Sequence, residues 1–187
     1  MKNLFLFILL ASYSVVSMSQ EIEKTFVPYY QTEDGIQEFE RVSSKIEAKA
    51  IGFGYGGVNQ YLTVFNSKNS PIRFKSGDLP KFLMKLDPGI DPLDLVIISK
   101  ADVVKKRKTY RRFVQQGHNM GGAKDLSEHL TIPELKPVEG QENLYEMVFK
   151  KPLVPGEYAF QPIYKGQQAA NILATNNNVR IYCFGID

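Results

Sequence analysis

The chain has 187 residues, a formal net charge of +3 and a single cysteine. That balance carries no polyanion signal of its own, so an anionic partner would have to be recognised by a local cluster. One Cys excludes an intrachain disulfide framework, and the length suits one ordinary domain, or two small ones, with a core that needs no staples.

The first residues read MKNLFLFILLASYSVVSMSQ. Lys2 gives a positive start, Leu4 to Ala11 an apolar run, and Ser17-Met18-Ser19 a small-x-small cleavage signature, so residues 1–19 are expected to be a secretory signal peptide cut before Gln20. The apolar run falls short of the roughly 20 residues that a spanning helix needs. No cysteine follows it to carry a lipid, and no later segment of the sequence is long and apolar enough to span a bilayer. An exported chain without disulfides fits a bacterial envelope, in the periplasm or at the cell surface. Residues 20–187 are then the mature domain.

IQEFERV (36–42) fits either a strand or a short helix. In SKIEAKAIGFGY, Ile46, Ala48 and Ala50 alternate with Lys45, Glu47 and Lys49, which predicts a half-buried strand. The apolar parity then passes to Ile51, Phe53 and Tyr55, which predicts a bulge near 50–52. Gly52, Gly54 and Gly57 spell G-x-G-x-x-G, the pattern that opens dinucleotide-binding units. The pattern works only ahead of a helix, whereas Gly57 leads into VNQYLTVF, which reads as strand. Asp78, at the right distance for a ribose contact, falls in the turn SGDLP, so no dinucleotide is expected. The glycines serve instead to leave one strand face bare for a bulge, a neighbouring segment or a ligand.

Strands are expected at 61–65 and 72–74 around the turn 66–70, at KFLMKL, and at LVIIS. The loop DPGIDPLD (87–94) lies between the last two and marks a seam that leaves room for a second small β-subdomain on the N-terminal side. ADVVKKRKTYRRFVQQ is a long β-type region that runs into a loop, GHNMGGAKD. Three further strands fall in LYEMVF, GEYAFQPIY and VRIYCFGI, the last two separated by the loop GQQAANILATNNN. Short strands punctuated by Gly, Pro, Asn and Asp predict an all-β sandwich or barrel, and of the two an antiparallel sandwich is the expectation taken forward.

Within KKRKTYRR, Lys105, Lys106, Arg107, Lys108, Arg111 and Arg112 flank Tyr110, a composition that can hold a polyanion such as phosphates, an acidic glycan or nucleic acid. The plainer expectation is a solvated face, since strand alternation would otherwise bury about half of these charges at several kcal/mol each. A hairpin near 106–108, an edge wet on both faces, or acidic partners from a segment such as Glu33–Glu40 would each avoid that cost. His118 and His129 are the only histidines, too few and too far apart to begin a zinc site. Nucleophile elbows and HExxH helices are absent from the sequence, and Asp91, Asp94, Asp102 and Asp125 cannot be paired into an acid/base couple on sequence grounds. Cys183 reads as a buried strand residue. No catalytic residue, cofactor or metal is expected.

PLVPGEYAF (152–160) places Pro-Gly in a tight turn and then alternates Tyr158 and Phe160 into a strand. Together with the closing IYCFGID and with HNMGGAKDLSEH, it resembles the C-terminal half of uncharacterised exported proteins of Gram-negative bacteria. The resemblance implies an immunoglobulin-like sandwich and an envelope location, and it brings no catalytic residues. The combined expectation is a non-catalytic exported binding or assembly module, its function on loops such as 117–124 and 166–178. The alternatives are a glycan- or polyanion-binding protein that uses 105–112, and a hydrolase of envelope polymers.

Overall fold

The computed structural model describes residues 21–50, 57–90, 96–104, 109–119, 122–123, 128–161 and 178–187. The described residues form fourteen strands and no helix. In chain order these are β1 (Pro28–Thr32), β2 (Gly35–Glu38), β3 (Glu40–Ala50), β4 (Val58–Phe65), β5 (Arg73–Phe74), β6 (Phe82–Lys85) and β7 (Ile98–Val104). They continue as β8 (Tyr110–Asn119), β9 (Gly122–Ala123), β10 (Leu130–Thr131), β11 (Glu134–Pro137), β12 (Leu144–Val148), β13 (Gly156–Phe160) and β14 (Asn178–Ile186).

Two sheets result. The smaller has the order β11-β12-β6-β1-β2. In the larger, β7, β13, β14, β3, β4 and β8 pair in sequence, and β8 pairs back onto β7, so six antiparallel strands close into a barrel. Closure satisfies both edges of the sheet, which an open sandwich leaves exposed. All-β structure is therefore as expected, antiparallel but for the short β5 beside β14, and one layer is a closed barrel where an immunoglobulin-like sandwich was the expectation. IQEFERV resolves to strand, split between β2 and β3 at Phe39. GHNMGGAKD is not wholly a loop: β8 runs to Asn119 and turns back through β9, with His118 opposite Ala123. The bulge expected near 50–52 lies outside the described residues; one is found where Tyr61 pairs with Val114 but Gln60 with Gln116, so Gln115 is the extra residue.

Alternation sorts the side chains of the barrel strands. Leu62, Val64, Phe113, Ala159, Val179, Ile181 and Cys183 point inward and fill the barrel. The opposite parity of β13 and β14, with Tyr158, Phe160, Phe184 and Ile186, faces the small sheet and meets Tyr30, Phe82, Met84 and Met147. This is why GEYAF and YCFGI are buried on both faces, with Glu157 the one charged residue among them: one side lines the barrel and the other lies under a second layer. Phe39 sits in the hinge between the layers, its ring 4.9 Å from those of Phe82 and Phe160 and 5.3 Å from Phe184. Each layer takes strands from both sides of residues 87–94.

Candidate functional site

Of the basic run, Lys105, Lys106, Arg107 and Lys108 lie outside the described residues. The strands that flank them pair antiparallel, with Val104 opposite Tyr110, so they fall in the β7–β8 connection. The other three members diverge. Tyr110 is half-buried, its ring 6.2 Å from Phe65. Arg112 points outward and places its guanidinium 4.2 Å from the centre of the Tyr61 ring. Arg111, expected at the surface, is completely buried.

The physical reason is parity. Arg111 shares the inward face of β8 with Phe113 and crosses the barrel interior, where Nη2 donates to Glu40 Oε2 at 2.6 Å and Nη1 to Glu157 Oε2 at 3.3 Å. Glu157 also accepts from Ser70 N at 2.7 Å and from Arg73 Nη1 at 2.6 Å, and Arg73 pairs in turn with Asp187. This chain of charges closes one end of the barrel. Of the three ways to avoid burying bare charge, acidic partners serve Arg111, and one of them, Glu40, belongs to the segment 33–40. Gly185 faces the same interior and leaves the space the ion pair needs: a Cβ there would stand 2.7 Å from Arg73 Cζ and 3.0 Å from Glu157 Oε1. Arg73 holds the Asp187 carboxyl below the ordinary carboxylate range through their hydrogen bonds. Burial pushes the Cys183 thiol well up. The network ties β3, β8 and β13 together across the barrel, with Arg111 Nε left without a hydrogen-bond partner among the described residues.

The remaining sequence candidates scatter. Gly52 and Gly54, and Asp91, Asp94 and Asp125, lie outside the described residues. Gly57 has φ +96° and leads directly into β4, so the helix N-terminus that a pyrophosphate would need is replaced by a strand. Asp78 closes a turn, its N–H donating to Lys75 O at 3.1 Å. His118 lies in β8 and Asp102 in β7, opposite Arg112, while the carbonyl of His129 accepts from Lys100 N at 2.7 Å. Among the described residues no group of three or more His, Cys, Asp or Glu side chains could hold a metal ion. Nor is any helix among them long and apolar enough to cross a membrane.

What the sequence reading missed is the outer face of the small sheet. Tyr29, Leu83 and Leu144 pack there with Ile22, which precedes the first strand, with Val27, Ile36 and Val138 at the margin. An open groove of about 1120 Å³ runs over this face, floored by Ile36, Leu83, Val138 and Leu144 and rimmed by Glu33, Asp34, Glu139 and Glu146. A smaller one, about 480 Å³, lies on the other side of Ile22, beside Lys85 and Glu142. The signal was present but divided: PYYQT, KFLMK and NLYEM each place one apolar residue on this face, and only their pairing joins them. No family model, curated protein or solved structure matches this chain.

Proposed function

We propose that this chain is an exported, non-catalytic β-module of the bacterial envelope that works by binding another macromolecule, with the outer face of the small sheet as its binding surface. The observation that carries this reading is the groove itself. At about 1120 Å³ it exceeds the roughly 300–1,000 Å³ of small-molecule pockets, and its apolar floor is ringed by charge, as the contact patch of a protein interface is. The rigid barrel beneath serves as scaffold. Kinship with exported immunoglobulin-like proteins belongs to the same proposal. Its support is local: two of the three segments that carry the resemblance pair as β13 and β14, and Tyr158 Oη donates to Val154 O at 2.6 Å, a contact like the tyrosine corner of such sandwiches.

The test is photo-crosslinking in cells from residue 33 or 139 on the groove rim and from residue 180 on the barrel wall. The expected result is one defined adduct from both rim positions and none from 180. Equal labelling from all three positions, or no adduct from either rim position, would remove the reading.

A further inference from the structure

We infer that the groove on the small sheet takes an extended, cationic polypeptide segment of another protein, with apolar residues facing the floor and Lys or Arg on both flanks. This rests on the binding-module reading and names the chemistry of the partner.

Two independent observations lead to it. The first is how the face already holds a chain. Ile22, ahead of the first strand, is buried against Tyr29, Leu83 and Leu144, while its neighbours Glu21, Glu23 and Lys24 stay exposed. The floor continues beyond Ile22 through Ile36 and Val138, both only half-buried, so further anchor positions of the same kind remain. An extended segment suits them because alternate side chains point to opposite sides.

The second observation is charge. The grooves around Ile22 are lined by eight carboxylates and three lysines, on a chain whose net charge is +3. Two of the lysines are already engaged, Lys24 with Glu38 and Lys81 with Glu146 at 3.5 Å. Among the described residues, Glu21, Glu23, Glu33, Asp34, Glu139 and Glu142 form no ion pair. A face this acidic repels nucleic acid and anionic glycans and draws cations, raising the encounter rate with a basic partner.

Register fixes the direction. β1 and β12 both run antiparallel to β6, with Tyr30 and Met147 opposite Phe82, and Pro28 and Leu144 near its other end. The β1–β2 turn, with Glu33 and Asp34, therefore stands at the opposite corner of the sheet from the β11–β12 turn, with Glu139 and Glu142. At ~4.8 Å between strands and ~3.4 Å per residue, the diagonal is roughly 25–30 Å, which about eight or nine extended residues would span. A segment with cations at both ends and apolar residues between them meets carboxylates at each corner.

The experiment is fluorescence anisotropy on the purified exported protein with the labelled nonapeptide Lys-Arg-Ile-Ser-Val-Thr-Leu-Lys-Arg. Controls are the peptide with Glu at its four cationic positions and the peptide with Ser at its three apolar positions. The first peptide is expected to bind and to lose at least tenfold in affinity between low and physiological salt, while both controls fail. The triple variant Glu33→Gln, Asp34→Asn, Glu139→Gln, changed only at exposed turn positions, should lose about tenfold and flatten the salt dependence. Equal binding of the acidic peptide, or an unchanged triple variant, would overturn the proposal. So would a dimer in sedimentation that the triple variant disperses, which would assign the face to a second copy. Rim crosslinks to a partner together with no peptide binding would sink the cationic-segment inference alone; loss of both would take the binding-module reading with it.

Discussion

Arg111 shows how little a residue's neighbours in sequence say about its environment. It stands in a run of cations yet is the largest fully buried side chain among the described residues, held by Glu40 and Glu157. Removing one partner of a buried pair leaves the others unmatched, which costs about 3–5 kcal/mol. Arg111→Gln should therefore lower the urea midpoint sharply at neutral pH, and an unchanged midpoint would refute the buried network. Cys183 makes a second prediction. Its thiol is fully buried and its pKa raised by that burial, so it should resist alkylation until the chain unfolds. The sign follows from linkage: a group whose folded pKa lies above its unfolded value, here 9.0, contributes fully below that pH. The contribution is lost as pH rises, because only the unfolded chain releases the proton. Tyr158, raised mainly by burial from 10.0, acts in the same direction. Stability measured by denaturant should decline above pH 9, and Cys183→Ala should delay the onset.

At the scale of elements, the joint between sheet and barrel is aromatic. Phe39 links β2 to β3 and packs on rings from β1, β5, β6, β13 and β14. Phe39→Ala should cost about 3–5 kcal/mol, because the rings around it are fixed by two sheets and cannot collapse into the space. A loss under about 1 kcal/mol in equilibrium unfolding would show that the layers are held elsewhere. Gly185→Ala tests the barrel end in another way. The added methyl group would meet the Arg73–Glu157 pair, so a loss of about 1–3 kcal/mol is expected, as for overpacking in a close-packed site. Pairing it with Arg73→Ala should recover part of that loss if the clash is the cause.

For the whole molecule, the pairings that close the barrel join residues far apart in the chain. Glu40 lies opposite Cys183, and Val58 opposite His118. Loop closure must precede most of these contacts, so refolding by stopped flow should fall in the millisecond-to-second range of β-barrels, and microsecond refolding would contradict this topology. Charge is also arranged globally: a chain of net charge +3 gathers carboxylates on the outside of one sheet. The expected mature start at Gln20, which mass spectrometry of exported protein would check, places that face close to the processed end.

Alternation of apolar and polar residues, and the turn chemistry of Pro-Gly and Asn-rich breaks, determined by themselves that this chain is β throughout its described parts and where most strands lie. Strand pattern is local, since each side chain needs only its own parity to be sorted between water and core. PYYQT and TIPELKP were missed because strands of four or five residues carry too few alternating positions to announce themselves. Only the tertiary structure decided that one sheet closes on itself, that Arg111 turns inward, and that Ile36, Leu83, Val138 and Leu144 share a groove. Those outcomes depend on which strands become neighbours. A buried arginine and a solvated one look alike until its partners, here on β3 and β13, are brought across the barrel to meet it.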